Sequence, residues 1–531
     1  MEARQAYDGP RTELPAVCVI LFVILSVGLS GPAFAQSSEE APKIQELIQQ
    51  GNLAGARQLV SAALQQEPQD AILLNLDGVI KAQQGDCVGA EASFRRAMAL
   101  APSFSGSYLN LGHLYQAWKP PQPGLRDKAI GVYEELLKRD PGNVEANYQS
   151  AALLMQKGQY AASLHRLASL PIDAQNRAQA LSVRCADEAG RGALPQAEQA
   201  ADRMLHSSDL ADADVMTLVP ILKHPEQRSL AVKLLEGLRQ RNMATIGSLT
   251  SLALLYKQAG NLDDARKTLE QAAQIPPISA QLLVELARVA NDQKDYTGAL
   301  GYLAHARELE PGNASIHFFW GMVCVQMNLA EEAFQGLKKA VDLDPNNPYY
   351  NYAMGAVASE REEAREAVPY FQKYCQLKPH DPRGALALGS AHFAAHDDDE
   401  AEKIIAPVVN NPVTAARAHY LLGRIANHRG NYAQAITELQ WALKTQPEYA
   451  DAYAERGLVY LKQKDYPHAT ANLRHALELD PDNYTANMNL LVLYRRTNDP
   501  KAEEQAKRFE QIRQLRAQRV KEALRTIQVQ P

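Results

Sequence analysis

Residues 416–449 read ARAHYLLGRIANHRGNYAQAITELQWALKTQPEY, and residues 450–483 read ADAYAERGLVYLKQKDYPHATANLRHALELDPDN. Set one above the other, these two 34-residue lines agree at a glycine (Gly423, Gly457), an alanine (Ala435, Ala469) and a proline (Pro447, Pro481). The three columns extend far upstream. The alanine column runs Ala56, Ala90, Ala129, Ser163, Ala197, Ala231, Ala265, Ala299, Ala333, Ala367, Ala401, Ala435 and Ala469, always 34 apart except for one step of 39. Twelve residues ahead of it stand Gly78, Ala151, Cys185, Ala253, Ala287, Gly321, Gly355, Gly389, Gly423 and Gly457, with Gly112 displaced by the single insertion. The prolines are Pro68, Pro102, Pro141, Pro277, Pro311, Pro345, Pro379, Pro447 and Pro481, with Pro412 one residue early.

Each column has a physical cause. Two antiparallel helices approach closely only where small side chains meet at the crossing, and the glycine and alanine columns supply them. Large apolar residues flank the crossings at spacings of three and four, as in Leu422, Ile425, Ile436 and Leu439, which is the stripe of a buried helix face. Gly85-Asp86, Gly158-Gln159, Gly260-Asn261 and Gly430-Asn431 fall between the two helices, where glycine relaxes the backbone. Proline closes the second helix because it lacks an N–H and crowds the preceding turn. The least regular stretch is 178–245, where Val219 stands in the small column and prolines are missing. The extra residues lie at Lys119-Pro120-Pro121-Gln122-Pro123-Gly124 and lengthen one turn.

A 34-residue helix–turn–helix of this pattern resembles the tetratricopeptide repeat (TPR) family. The resemblance implies an all-α, right-handed superhelical solenoid of about 13 repeats. Residues 37–245 form an N-terminal array of six repeats and 246–483 a C-terminal array of seven. Residues 484–531 supply capping helices and a basic tail, with Phe509, Ile512, Leu515, Val520 and Leu524 on one face and Lys507, Arg508, Arg513, Arg516, Arg519, Lys521 and Arg525 on the others. A solenoid needs such a cap over its last repeat. A basic amphipathic helix also suits a membrane surface or an acidic partner.

At the front, Ala16–Leu29 reads AVCVILFVILSVGL without a charge, and Ala33-Phe34-Ala35 follows. A stretch this short ending in small-x-small matches a cleavable secretory signal over 1–35, an uncleaved N-terminal anchor being the alternative. The expected location is therefore exported: periplasmic or extracellular, or membrane-anchored with the repeats outside the cytoplasm.

The chain of 531 residues has 55 basic and 61 acidic groups, a net charge of -6, which argues against a nucleic-acid binder. Its five cysteines exclude a disulfide scaffold, and Cys87, Cys185, Cys324 and Cys375 read as small buried hydrophobes. His392 and His396 lie one helical turn apart, but Phe393 follows where a metalloprotease would place its base, so no metal is expected. No phosphate loop, nucleophile signature or nucleotide fingerprint appears, and only 48 residues follow residue 483. We therefore expect no enzyme and no cofactor. Asn313-Ala314-Ser315 and Asn483-Tyr484-Thr485 match the glycosylation sequon, at turns where Asn is expected anyway.

What remains is binding. In solenoids the first helix of each pair lines a concave groove, and the resemblance implies that the groove takes a partner peptide or helix. Projecting the first helices of repeats 9 to 12 onto it gives Phe318, Met322, Tyr349, Tyr352, Phe393 and Tyr420 with Arg383, Arg417 and Arg424. Aromatics and arginine concentrate binding energy at interfaces, although the same aromatics serve as packing residues in this repeat. The carboxylate-gripping set of cations known from one subclass is absent beside Asn110 and Asn489. The expected function is a scaffold or adaptor for other proteins in the cell envelope. The alternative is a dedicated accessory subunit of an envelope export or assembly machine.

Overall fold

The computed structural model describes residues 40–360 and 364–514. The leader at 1–35 and the tail residues Leu515, Arg516, Arg519, Val520, Lys521, Leu524 and Arg525 lie outside the described residues. Among the described residues there are helices and turns and no strand. No helix there is long and apolar enough to cross a membrane. The chain divides into two compact units, Met1–Leu255 and Tyr256–Pro531.

The first unit stacks helix pairs in chain order. Ala71–Gln83 with Cys87–Leu100 is typical, and Ser105–Ala117 with Leu125–Leu137 follows it across the exposed 119–124 loop. The pattern loosens downstream. The second helix of repeat 4, Tyr160–Ala168, stops before Pro171, and a single turn, Ile172–Gln175, takes its place. The first helix of repeat 6 is cut to Asp212–Met216, and a 3-10 turn at Pro225–Gln227 leads into Arg228–Gln240. Pro220 and Pro225 remove two donors from that stretch, so the pair expected over 212–245 is built from one short and one full helix.

The second unit is more regular. Ala314–Gln326 pairs with Ala330–Leu343, Pro348–Glu360 with Ala364–Leu377, Pro382–Ala394 with Asp398–Ile405, Ala415–His428 with Tyr432–Thr445, and Ala450–Lys462 with Tyr466–Leu479. The first helices of repeats 10 to 13 also touch in succession and form one continuous face. Tyr484–Arg496 continues the stack, and a helix at 502–514 closes it. Ile512 is 4% exposed, Phe509 packs its ring 5.1 Å from that of Tyr484, and Gln505 Nε2 donates to Asn487 Oδ1 at 2.8 Å. The described part of the C-terminal helix is thus a cap.

The alanine column is the core of both units. All thirteen of its members, Ser163 included, are 0% exposed. The glycine column meets something larger than expected. A Cβ on Gly423 would lie 2.7 Å from Leu439 Cγ, one on Gly457 2.7 Å from Leu473, one on Gly389 2.4 Å from Ile405 and one on Gly355 2.9 Å from Phe371. The glycine is small because the residue four after the alanine lies across it. The alanine carbonyl is close as well, 3.4 Å away for Ala435.

Most of the turns obey the same ruler, the exception being Asn242 at φ 55° in the irregular stretch. Positive φ recurs at Gly51, Gly85, Gly158, Gly192, Gly260, Lys294, Asn328, His396, Gly430, Lys464 and Asn498, with Gly124 fitting once the insertion is counted. The backbone there closes the first helix, as when Asn431 N–H donates to Ala426 O at 2.8 Å and Asp465 N–H to Tyr460 O at 2.9 Å. This left-handed ending satisfies carbonyls that the helix leaves open. The next residue often caps the second helix: Asn52, Asp86, Asn261, Asp295 and Asp465 each accept from a backbone N–H three residues on.

A further column escaped the sequence reading. Asn147, Asn351 and Asn487 are buried, and each donates its side-chain amide to a carbonyl of the column proline: Pro141 O at 2.9 Å, Pro345 O at 3.0 Å and Pro481 O at 3.1 Å. His317 takes this place against Pro311 O at 3.0 Å. The proline turn is therefore pinned to the next first helix.

Candidate functional site

The nine candidate groove residues all lie on first helices of the second unit or at their starts, and they fall into three groups. Phe318 is half-buried and packs its ring 4.7 Å from that of Tyr350, across the repeat boundary. Met322 lies one turn further along the same helix, half-buried. These two are set apart from the arginines.

The second group is built around Asp381. Tyr352 packs against Phe371 at 5.5 Å and Tyr374 at 5.0 Å between ring centres, and the Tyr374 hydroxyl donates to Asp381 Oδ2 at 2.5 Å. Arg383 closes on the same carboxylate through two bonds, Nε to Oδ1 at 2.9 Å and Nη2 to Oδ2 at 2.8 Å. The Arg383 guanidinium holds the Asp381 carboxyl down at about 2. Arg383 is exposed, and two of its five N–H donors are taken by Asp381. Tyr349, 63% exposed, stands nearby on the first turn of Pro348–Glu360.

The third group carries unpaired charge. The Arg424 guanidinium lies 4.9 Å from the centre of the Phe393 ring and 5.7 Å from that of Tyr420. Tyr420 in turn lies 5.1 Å from Tyr449. Such cation–ring contacts neutralise no charge and use no N–H donor toward an acid. Arg417, about two turns upstream on Ala415–His428, is exposed. Among the described residues neither Arg417 nor Arg424 has a carboxylate within salt-bridge distance. The acids of the neighbouring repeat are engaged elsewhere: Asp451 accepts from Asn483 Nδ2 at 2.8 Å, and the buried Glu455 accepts from Asn427 Nδ2 at 2.6 Å. Lys462 adds its ammonium to Asn427 Oδ1 at 2.8 Å.

Tyr420 and Phe393 also pack on the apolar cores of repeats 11 to 13, so one face of each ring is structural. Burial pushes the Tyr420 hydroxyl far above its ordinary range, and it stays neutral. Tyr374, Asp381, Tyr449 and Asn427 lie among the candidate residues and were not singled out in the sequence. Tyr374 sits on a second helix and Asp381 and Tyr449 in the turns before first helices, positions that a projection of first helices alone leaves out.

The other candidates are placed plainly. His396 occupies the positive-φ turn with φ 64°, and His392 Nδ1 lies 3.1 Å from Asp397 Oδ2. Among the described residues no group of three or more His, Cys, Asp or Glu side chains could hold a metal ion. Cys185 and Cys324 are buried and Cys87 and Cys375 partly so, all as free thiols. Asn313 and Asn483 are helix caps, accepting from Ser315 N and Ala486 N.

Family profiles described as tetratricopeptide repeat match residues 43–103, 124–185, 250–314, 290–357, 358–425 and 450–483, and one described as TPR repeat matches 423–464. No curated protein matches the sequence. Solved structures resemble it at low identity. A tetratricopeptide repeat protein from Parabacteroides merdae is 17% identical, with 47% of this chain and 98% of that one covered and a TM-score of 0.40. The APC/C hetero-tetramer Cut9–Hcn1 gives 15% identity, 86% and 96% coverage and a TM-score of 0.37. YrrB, titled a TPR protein with an unusual peptide-binding site, gives 21% identity, 35% and 95% coverage and a TM-score of 0.28. With helix pairs on a 34-residue ruler and family matches over more than half its length, the chain belongs to the tetratricopeptide repeat family.

Proposed function

We propose that this protein is a scaffold that docks partner proteins on the first-helix face of its second unit, and that the partner presents an acidic segment with an aromatic or aliphatic side chain. The observation that carries this reading is the pair Arg417 and Arg424. Among the described residues both guanidinium groups keep their N–H donors free of acids, and they flank the rings of Phe393, Tyr420 and Tyr449. A carboxylate can take those donors in a two-pronged pair while an apolar side chain lies on the rings. Arg383 contributes less, because Asp381 offsets its charge and occupies two of its donors.

The uncharged run 16–29 with its small-x-small ending supports action outside the cytoplasm, in the periplasm, at the cell surface or tethered to a membrane. A role without chemistry of its own fits a chain whose length is taken up by repeats.

The test compares captures from the native envelope fraction by the wild-type chain and by variants. Arg417→Glu is the cleanest, since the residue is exposed and supports no packing. Recovery of the partner should fall about tenfold to a hundredfold for Arg417→Glu and further for Arg383→Glu/Arg417→Glu/Arg424→Glu, in line with about 1–3 kcal/mol per interface arginine. Unchanged recovery with helicity intact would place the docking face elsewhere.

A further inference from the structure

Asp187 lies near the end of Ala178–Gly190, the first helix of repeat 5, and is 0% exposed. Neither of its carboxyl oxygens has a hydrogen-bond partner. Buried carboxylates elsewhere in this chain are supplied with donors: Glu455 receives Asn427, and Asp214 receives the Ala211 N–H at 2.9 Å. The polar neighbour of Asp187 is Ser163, the one member of the small column that is not alanine. Its hydroxyl donates to Ala151 O at 2.9 Å, and its closeness to the acid offsets only part of the effect of burial. The place where the column changes residue type is thus the place where the next repeat buries an acid.

The charged groups around it come from few directions. On its own helix and turn, Arg184, Glu188 and Arg191 act on Asp187, and Arg191 is drawn to Glu188 at 3.7 Å. From Tyr160–Ala168, Tyr160 packs its ring on Gly190, His165 is exposed and Arg166 reaches away to Glu134. From Val144–Gln156, Glu145 faces His113, and Tyr148 is neutral. The short helix Ile172–Gln175 carries only the exposed Asp173. From Leu194–Leu205, Glu198 and Arg203 are exposed and Asp202 pairs with Lys233 at 2.7 Å. From Asp212–Met216, Asp214 is held by its own turn, and Asp212 accepts from Thr245. None of them brings a donor to the Asp187 carboxyl.

A neutral acid fits such a site, and an ionised one does not, because a bare carboxylate in a dry interior must gain either a donor or water. Burial pushes the Asp187 carboxyl up to about 7. We propose that Asp187 is a proton-operated latch between repeats 4 and 5. With the proton on, the two repeats close over a neutral side chain. When the proton passes to solvent, the carboxylate draws in water and the joint between the helices 144–168 and 178–190 loosens.

The sign follows from proton linkage. Between the ordinary carboxylate value near 4 and about 7, the closed joint holds a proton that the opened one releases, so closure weakens as pH rises. Above that window both forms are ionised and the effect levels off. In the full-length chain, amide exchange of 144–190, corrected for its intrinsic pH dependence, should show opening that rises by up to about tenfold per pH unit across this window. Asp187→Asn, neutral at every pH, should abolish that slope while leaving exchange in the second unit unchanged. A slope that survives in Asp187→Asn overturns the proposal. Should that variant fold poorly, a carbon-13 titration of the wild-type carboxyl decides. A midpoint near 7 supports the latch, and one near 4 ends it.

Discussion

At the scale of single residues, the turn between paired helices is the most exacting position. It needs positive φ, which glycine adopts freely and an L-residue with a Cβ resists by about 1–2 kcal/mol. Lys464 sits there at φ 64° and His396 at φ 64°. Replacing Lys464 by glycine should stabilise its repeat by about 0.5–1 kcal/mol once the greater freedom of glycine in the unfolded chain is deducted. Thermal or urea unfolding measures this, and a destabilised Lys464→Gly would show that the lysine is held by something beyond its backbone. The turns marked by glycine were legible in the sequence. Lys294, Asn328, His396 and Lys464 were not, because a lysine or histidine says nothing of its φ until the ruler is laid across it. Cysteine chemistry divides at the same scale. Burial pushes the thiols of Cys185 and Cys324 up to about 12, so both should resist a thiol reagent until the chain unfolds. The partly exposed Cys87, at the start of Cys87–Leu100, should be labelled first. Mass mapping after brief labelling distinguishes them.

At the scale of the element, the packing is a lock between a glycine on one helix and a large residue on its partner. Gly423→Ala would set a methyl 2.7 Å from Leu439 Cγ and 3.4 Å from the Ala435 carbonyl. The side chain can move and the backbone cannot, so we expect a cost of about 1–3 kcal/mol. Leu439→Ala together with Gly423→Ala should recover part of the clash term while opening a cavity, and a double-mutant cycle in unfolding free energy reads the coupling. Additive effects would mean that the two residues do not meet. This pairing was half-legible: the small columns announced close approach, but the sequence cannot say which neighbour fills the space above a glycine. The broken helices at Pro171 and Pro220 lie in or beside the stretch whose irregularity the sequence displayed. The asparagine column at 147, 351 and 487 was hidden because its partners are carbonyl groups, which every residue has. The candidate site was legible in its residue types and not in its pairing. Nothing in the one-dimensional string told Arg383, already bound by Asp381, from Arg417, which meets no acid among the described residues.

At the scale of the whole molecule, each helix packs mainly on those beside it in the chain, so stability is a sum of repeats and their junctions. The helix at 502–514 terminates that sum on one side. Ile512→Asp should destabilise Tyr484–Arg496 and the last repeat selectively, by about 2–4 kcal/mol for burying an unpaired charge. Faster amide exchange confined to roughly 450–500 is the expected signature, and uniform loss across the chain would contradict a neighbour-limited architecture. The same neighbour-only contacts have a mechanical side. A stack of this kind, stretched by the ends of one unit, gives way helix pair by helix pair, because each described helix packs mainly on its neighbours in the chain. Hairpins should peel away in turn at low force, each adding a contour of about 120 Å for 34 residues at roughly 3.6 Å apiece. The tether would lengthen in small, reversible steps, like a spring rather than a fuse.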